Sequence, residues 1–242
     1  MNKKISVCMA TYNGERFIKQ QIDSILLQLD AEDELIISDD GSTDQTVHII
    51  KSYDDERIKF FQNTLEKGYT KNFENALNKA TGDIFFLSDQ DDVWMENKVV
   101  ICKKFLNNYD FVISDGYITD QNLIKLNETH FQKYNVKKGF WYNTLKTRYV
   151  GAFMAFNKDV YNLILPFPAK QKFSPHDYWI TLIAEHNFKV KIIEQPLVLY
   201  RRHGTNVTGE TSQRSIIQKL SQRIYTLINL FRRTKRFKYE QK

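Results

Sequence analysis

Cysteine, proline and long apolar runs are all scarce in this chain of 242 residues. Its two cysteines, Cys8 and Cys102, provide neither a disulfide framework nor the close spacing of a metal-thiolate site, so we expect a reducing, cytoplasmic compartment. No apolar run approaches the roughly 18 residues that a membrane span needs. The short run Ile5–Ala10 near the start is too brief for a signal peptide and predicts a first strand.

Positive charge is concentrated at the C-terminal end of the chain. The segment Gln213–Lys242 contains nine Lys and Arg residues and one Glu, whereas the preceding residues contain 26 basic and 28 acidic side chains. The net charge of +6 therefore belongs to the tail, and we expect no nucleic acid partner for the body. A hydrophobic content of 42% indicates a folded globular protein with a substantial core.

Strand and helix signals alternate along the first half of the chain. Amphipathic segments separate the apolar runs, and one of these helices is expected to open with a capping box at Ser42 and Gln45. This order predicts an α/β fold with a mostly parallel central sheet flanked by helices on both faces. The predicted strands are Ile5–Ala10, Leu35–Ile37, Ile58–Phe61, Ile84–Leu87, Phe111–Ser114 and Gly151–Phe156.

Three of these strands end in polar residues that could form a binding site. Strand Ile5–Ala10 is followed by Thr11–Asn13, strand Leu35–Ile37 by Asp39–Ser42, and strand Ile84–Leu87 by Asp89–Asp92. Right-handed crossovers bring the carboxyl ends of parallel strands to one edge of a sheet, where ligands bind. Three aspartates within Asp89–Asp92 repel one another unless a cation lies between them, and oxygen ligands suit Mg²⁺ or Mn²⁺. A solvated acidic turn is the alternative interpretation of this cluster.

These motifs together resemble the inverting glycosyltransferases of family 2, which have the GT-A nucleotide-sugar transferase fold. The ending Tyr200–Asn206 and the Ser88–Asp92 segment are most similar to the rhamnosyltransferase-like branch. The resemblance covers residues 5–208 and rests on four segments in this order: Ala10–Gly14, Asp39–Ser42, Asp89–Trp94 and His176–Asp177.

The resemblance also implies a division of the chain. Residues 1–212 would form the GT-A domain, with residues 1–110 as its nucleotide-sugar-binding half and residues 111–212 as its acceptor-binding half. Residues 213–242 would follow as a basic amphipathic helix or tail.

The resemblance implies a metal site for Mn²⁺ or Mg²⁺ at the acidic cluster. It places Asp91 and Asp92 at the metal-binding and ribose-contacting positions, with Asp92 as the direct ligand. Asp89 is then either a further ligand or a partner of the ligands. His203 is a third metal ligand or a hydrogen-bond donor to the diphosphate, with an exposed histidine in a basic turn as the alternative.

The same resemblance assigns contacts to the nucleotide. Asp40 would accept a hydrogen bond from the imide N–H of a pyrimidine, while Asp39 holds the loop. Tyr12 would stack on the base, although ordinary packing also explains a tyrosine there, and Ala10 would make a backbone contact. Arg201 and Arg202 would together offset phosphate charge.

Inversion at the anomeric carbon needs one general base near the acceptor hydroxyl. The resemblance implies Asp177 for this role, between aromatic residues whose packing would desolvate it and raise its basicity. An aspartate that merely caps the N-terminus of a helix is the alternative.

We therefore expect a metal-dependent inverting glycosyltransferase. It would move a sugar from dTDP-rhamnose or a UDP-hexose to a sugar hydroxyl of a cell-surface polysaccharide precursor, either a glycan or a lipid-linked glycan. Two alternatives remain. Asp89–Val93 fits the Asp-x-Asp-x-Val motif of haloacid-dehalogenase-like phosphotransferases, with Asp89 as the nucleophile. A non-catalytic nucleotide-sugar-binding module is the other.

The tail, residues 213–242, predicts an amphipathic basic helix typical of proteins that lie on an anionic membrane surface. We accordingly expect a peripheral position on the inner face of the plasma membrane. The alternative is a helix that packs on the body and leaves its basic end in solvent. Its apolar residues recur at helical spacing: Ile216, Ile217, Leu220, Ile224, Leu227, Ile228 and Phe231.

Overall fold

The computed structural model describes residues 3–204 and 215–240. Its strands are β1 (Ile5–Thr11), β2 (Glu34–Asp39), β3 (Ile58–Gln62), β4 (Ile84–Asp89), β5 (Val93–Trp94), β6 (Phe111–Thr119), β7 (Lys125–Thr129), β8 (Met154–Asn157) and β9 (Val190–Arg201). Its helices are α1 (Ile18–Leu26), α2 (Thr46–Lys51), α3 (Tyr69–Lys79), α4 (Lys98–Leu106), α5 (His130–Tyr134), α6 (Phe140–Lys146), α7 (Lys158–Ile164), α8 (His176–Asn187) and α9 (Ile216–Glu240).

A single sheet runs through the described chain in the order β3-β2-β1-β4-β8-β6-β9-β5, with β7 paired to β6. The strands of the first half are mutually parallel, as the β-α-β order predicts. In the second half β6 and β9 are parallel, whereas β5, β7 and β8 run antiparallel to their neighbours. The predicted α/β fold is confirmed. The short strands β5 and β7 were not predicted. Strand β5 has only two residues, and the five residues of β7 are mostly exposed, so neither strand carries a clear hydrophobic signal.

The pairing of β1 with β2 and β4 brings the predicted binding loops together. Thr11 at the end of β1 lies opposite Asp39 at the end of β2, and Ala10 lies opposite Asp89 at the end of β4. These three strands are buried along most of their length, as expected of parallel strands covered on both faces. The predicted convergence of the three loops at one sheet edge is therefore confirmed.

Two local predictions were wrong. The segment Gly151–Phe156 is not strand throughout, because its first three residues form a 3₁₀ helix before β8 begins. The capping box is also absent: α2 begins after Gln45 without a side-chain cap. The hydroxyl of Ser42 is already engaged, since it donates to Asp39 and accepts from the backbone N–H of Asn13.

The start of α8 is anchored by the buried ring of His176. This ring stacks on Phe73 at a centroid distance of 4.3 Å, and neither ring nitrogen has a hydrogen-bond partner. A Cβ at Gly151 would lie 2.5 Å from His176 Nε2, so a glycine is needed where the 3₁₀ helix passes the ring. Burial lowers the pKa of His176 to about 3, which keeps the ring neutral at physiological pH.

The predicted tail helix is present as α9, and one of its faces packs on the body. Thr226 and Leu230 on this face are completely buried. The guanidinium of Arg233 donates to three carbonyls of the segment Leu163–Pro166. This face of α9 therefore agrees with the alternative expectation, in which the helix packs on the body. Residues 213–214 and 241–242 of the predicted tail lie outside the described residues, as do residues 205–212 before it.

None of the described helices combines the length and the apolar composition needed to cross a bilayer.

The buried neutral His176 predicts a specific acid sensitivity. The unfolded chain binds a proton at this residue below about pH 6.5, whereas the folded chain does so only near pH 3, so stability falls as the pH drops through this window. From pH 7 to pH 5, His176→Phe should therefore lose about 2 kcal/mol less unfolding free energy than the wild type. Urea unfolding at both pH values measures this difference.

The exposed His48 offers a matched control as His48→Phe. An identical pH dependence of stability in the wild type and the His176 variant would contradict the prediction.

Candidate active site

Three carboxylates gather at the carboxyl end of β4. Asp89, Asp91 and Asp92 each offer an oxygen, and these oxygens all lie within 4.8 Å of one another. Asp92 is completely buried; its Oδ1 accepts the backbone N–H of Arg201 at 3.0 Å. Its Oδ2 is buried without a hydrogen-bond partner. An unpaired buried carboxylate oxygen is costly and is typical of a ligand position.

The electrostatics of this cluster favour a bound cation. Burial, together with the charges of Asp91 and Asp177, raises the pKa of Asp89 to about 7. Burial also raises the pKa of Asp92, with added repulsion from Asp91 and Asp89. A divalent cation would relieve both effects, because it neutralises the repulsion and replaces lost solvation. The oxygen-only donor set therefore fits Mn²⁺ or Mg²⁺.

Arg201 braces the cluster through contacts to the chain. Its Nε donates to the carbonyl of Asp91 at 2.7 Å, and its two terminal nitrogens donate to the carbonyl of Gln121 and to the Gln20 side chain. Its guanidinium also lies 4.5 Å from the ring centroid of Phe17. The sequence interpretation paired Arg201 with phosphate charge. The structure instead directs these donors to protein oxygens that fix the loop.

His203 reaches the cluster through Asp91. Its Nε2 lies 2.7 Å from Asp91 Oδ2, and its ring packs against Phe17 at 4.6 Å. Only 8% of its side chain is exposed, so the alternative of an exposed histidine is wrong. Arg202 is half-buried, and its guanidinium lies 3.3 Å from the Tyr200 hydroxyl. Their assigned roles at the metal and the diphosphate remain predictions.

The loop after β1 is joined to the acidic loop by a two-point clasp. The backbone N–H of Tyr12 donates to Gln90 Oε1, and Gln90 Nε2 donates to the Tyr12 carbonyl, both at 2.9 Å. A Cβ on Gly14 would lie only 2.3 Å from Gln90 Oε1, so the clasp needs a glycine there. The Tyr12 ring is 53% exposed and presents a surface on which a base could stack. Ala10 lies just before this loop.

The two aspartates after β2 have different structural contacts. Asp39 is completely buried and accepts hydrogen bonds from the backbone of Gly41 and from the hydroxyls of Thr11 and Ser42. Asp40 is half-buried and accepts from the Asn63 amide at 2.7 Å and from the backbone N–H of Gly68 at 2.8 Å.

Asp39 therefore holds the loop, as the sequence suggests. A carboxylate oxygen can accept more than one hydrogen bond, so Asp40 keeps acceptor capacity for a ligand.

Asp177 occupies the second position of α8, after Pro175 at the cap. The interpretation of Asp177 as an N-cap is therefore wrong. Its Oδ1 accepts the backbone N–H of Tyr178 at 2.7 Å. Its charge helps to raise the pKa of Asp89, so the two carboxylates are close enough to interact electrostatically. Asp177, on a helix from the other half of the chain, thus lies within electrostatic range of the acidic cluster.

Two buried amides were missed by the sequence interpretation. Gln21 Nε2 donates to the Ser88 hydroxyl at 2.6 Å and to the Asp89 carbonyl at 3.1 Å. Asn72 Nδ2 donates to the Thr11 carbonyl at 3.0 Å. Both are polar residues within amphipathic helices. Hydrophobic periodicity alone does not show whether such a residue faces the protein interior or the solvent.

Two curated proteins are similar to this chain. The E. coli UDP-Glc:alpha-D-GlcNAc-diphosphoundecaprenol beta-1,3-glucosyltransferase WfgD is 34% identical over 122 residues, covering 50% of this chain and 48% of that protein. The dTDP-rhamnosyl transferase RfbG of Shigella flexneri is 29% identical over 222 residues, covering 83% of this chain and 73% of that protein. The match to WfgD thus spans about half of that protein's length.

The crystal structure of S. aureus TarS in complex with UDP has the same fold, with a TM-score of 0.62 and 23% sequence identity. The match covers 81% of this chain and 59% of that chain. The GT-A fold implied by the sequence resemblance is therefore confirmed.

Membership of a family follows from the profile of Glycosyl transferase family 2, which matches residues 6–165. This region contains the loops after β1 and β2 and then the acidic cluster, in the same order as the segments on which the resemblance rests. The phosphotransferase alternative, with Asp89 as nucleophile, does not fit this assignment. The chain belongs to glycosyltransferase family 2.

Proposed function

We propose that this protein is a metal-dependent, inverting glycosyltransferase that uses a nucleoside-diphosphate sugar. The observation that carries the proposal is the acidic cluster at the end of β4, with its unpaired buried Asp92 oxygen and Asp177 beside it. The cluster supplies a site for the donor diphosphate, and Asp177 supplies a separate base. Glycosyl transfer with inversion does not need the pair of catalytic carboxylates that glycoside hydrolases use.

On the donor side, Asp91 and Asp92 would hold Mn²⁺ or Mg²⁺, and His203 would orient Asp91 through its hydrogen bond. The bound cation would stabilise the negative charge that develops on the leaving diphosphate. Arg202 would contribute further positive charge on the diphosphate.

The nucleotide would lie between the loops that follow β1 and β2. Tyr12 would stack on the base, Asp40 would accept from its imide N–H, and the backbone at Ala10 would contact it. The clasp between Tyr12 and Gln90 supports this assignment, because it holds the base-binding loop against the phosphate-binding loop.

On the acceptor side, Asp177 would remove the proton from the attacking hydroxyl. As this oxygen bonds to the anomeric carbon, the bond to the diphosphate oxygen breaks, and the configuration inverts. Asp177 lies in the first turn of α8, the end of a helix at which negatively charged side chains are favoured.

For substrates, we propose dTDP-rhamnose as the donor, with a UDP-hexose as the main alternative. RfbG, a dTDP-rhamnosyl transferase by name, matches 83% of this chain, whereas WfgD is named as acting with UDP-Glc. The proposed acceptor is a sugar hydroxyl of a cell-surface polysaccharide precursor, in the form of a glycan or a lipid-linked glycan. A lipid-linked acceptor would place the enzyme at a membrane surface.

Replacing Asp92 tests the metal site. Asp92→Asn keeps the shape of the side chain but removes the buried charge, so kcat/KM should fall by at least about 10²-fold, comparable to the loss of a group that stabilises developing charge. Mn²⁺-dependent thermal stabilisation by UDP or dTDP should also be lost. The exposed Asp83 provides a control as Asp83→Asn. Full activity of the wild type in excess EDTA would contradict metal dependence.

Replacing Asp177 tests the base. Asp177→Asn should lower kcat by at least about 10²-fold, the usual contribution of a positioned base, while the donor Kd stays unchanged. Asp159 occupies the same second position in α7 but is exposed, so Asp159→Asn controls for effects on the helix start. Wild-type turnover in the Asp177 variant would place the base elsewhere. Normal donor binding without any transfer by the wild type would indicate a non-catalytic binding module.

A panel of nucleotide sugars tests the donor. Because uracil and thymine differ by one methyl group, discrimination by the base alone is worth only about 1–3 kcal/mol, and the sugar must supply the rest. We expect the highest Mn²⁺-dependent kcat/KM for hydrolysis with dTDP-rhamnose. A preference for UDP-glucose or UDP-galactose would refute the rhamnose assignment and leave the enzyme class intact.

A further inference from the structure

Helix α9 has two apolar sides, of which only one is covered. Thr226 and Leu230 face the body and are buried. The opposite side carries a stripe of large apolar residues, hereafter the outer stripe, with spacings of three and four residues. Its members are exposed by 77%, 54%, 49%, 45% and 46%: Ile217, Leu220, Ile224, Ile228 and Phe231. Such a stripe on a described surface indicates a binding partner.

Helix α6 carries two further apolar residues beside α9. Trp141 is 68% exposed and Leu145 is 66% exposed. The two helices are in direct contact, because the guanidinium of Arg223 on α9 donates to the carbonyls of Thr144 and Leu145 on α6. We call the outer stripe together with Trp141 and Leu145 the apolar face. An exposed tryptophan beside an apolar helix is typical of residues at a membrane–water interface.

Positive charges flank the outer stripe along α9. The segment from Ile217 to Phe237 contains six basic residues and no acidic residue. Of these, Arg232, Lys235 and Arg236 are exposed. A helical period of 3.6 residues places Lys235 in line with the outer stripe and Arg232 directly beside it.

A cavity of about 220 Å³ lies on the same side of α9 as Arg232. It is lined by Arg232, Arg233 and Arg236, together with Pro168, Trp179 and Asn229. Three arginines line this small cavity, although the guanidinium of Arg233 also donates to backbone carbonyls. Their positive charge is suited to an anion such as a phosphate. Apolar surface and anion-binding groups therefore occur side by side, as the boundary between acyl chains and headgroups requires.

We propose that α6 and α9 together form a docking surface for an anionic lipid bilayer. The apolar face enters the boundary between headgroups and acyl chains, and the arginine-lined cavity receives a headgroup phosphate. This is the binding mode of an interfacial helix, with the difference that α9 is held in place by the body through its other side. Lys146, at the end of α6, adds to the positive rim.

A second copy of the chain fits this surface less well than a bilayer does. Two copies joined through their outer stripes would bring the basic residues of both α9 segments together, without an acidic residue from either segment to balance them. An anionic bilayer supplies both the apolar phase and the opposite charge. Charge complementarity therefore selects the lipid.

The docking surface deepens the proposed function, because it would hold the enzyme where a lipid-linked acceptor lies. This purpose rests on the proposed function, whereas binding to a bilayer does not. Binding to vesicles is measured without donor or acceptor. Failure of vesicle binding and failure of glycosyl transfer are therefore separate results.

Co-sedimentation of the full chain with vesicles tests the proposal. The wild type should bind vesicles of phosphatidylcholine mixed with phosphatidylglycerol and bind pure phosphatidylcholine much less, with weaker binding at high salt. The triple variant Trp141→Ser, Ile224→Ser, Ile228→Ser should bind at least about tenfold more weakly, because its apolar contact with the bilayer is reduced. The matched control carries Val100→Ser and Ile124→Ser, at positions that are 65% and 64% exposed on other parts of the surface.

The positive rim is tested in the same assay. Neutralising Arg232, Lys235 and Arg236 to Gln should weaken binding to the anionic vesicles by roughly 10²-fold, about fivefold for each charge near the surface. The matched control neutralises three exposed lysines on α2, α3 and α4: Lys51, Lys79 and Lys104. All of these substitutions are at exposed positions outside the active site, so hydrolysis of the soluble donor should stay at the wild-type level and report that the variants are folded.

Three results would overturn the proposal. One is a wild type that does not sediment with anionic vesicles. Another is unchanged binding of the triple apolar variant. The third is a wild-type dimer in light scattering that this variant converts to a monomer, since a second copy would then cover the apolar face.

Discussion

Repulsion among Asp89, Asp91 and Asp92 is the constraint around which the active site is organised. Burial and the like charges within 4.8 Å of one another raise the pKa of Asp89 and of Asp92, and the repulsion would open the loop if nothing opposed it. The fold opposes them with positive and donor groups from distant parts of the sequence. Arg201 ties the loop to other segments, and His203 bonds to Asp91. The remaining unpaired oxygen of Asp92 then marks the position that a cation would fill.

The loops around this cluster are bound to one another rather than left independent. Gln90 clasps the backbone of Tyr12, and Ser42 accepts from the backbone of Asn13. Asp40 in turn holds the backbone of Gly68, at the start of α3. Because every bond joins segments that follow different strands, the pocket proposed for the donor is shaped before a ligand arrives. Preorganisation of this kind would lower the cost of fixing the proposed diphosphate-sugar donor.

Helix α9 shows why the two interpretations of the tail are not exclusive. Polar anchors attach it to the body, among them Arg233 on backbone carbonyls and Thr226 on the Phe173 carbonyl, together with the buried Leu230 and the ring contact of Tyr225 with Phe173. The large apolar residues of the outer stripe remain at least 45% exposed. The same helix can therefore pack on the protein and present an apolar surface.

The sequence by itself determined the α/β class, the edge of the sheet at which the site lies and the identity of the acidic cluster. These follow from local information, because a buried parallel strand is a continuous apolar run and its end is marked by the first polar residues. The tertiary structure alone decided which cationic residues serve the cluster and which serve the chain, as Arg201 shows. It also decided that Asp177 stands beside Asp89 and that α9 has one covered and one open apolar side. Such facts depend on contacts between residues far apart in the chain, and neither spacing nor periodicity carries information about them.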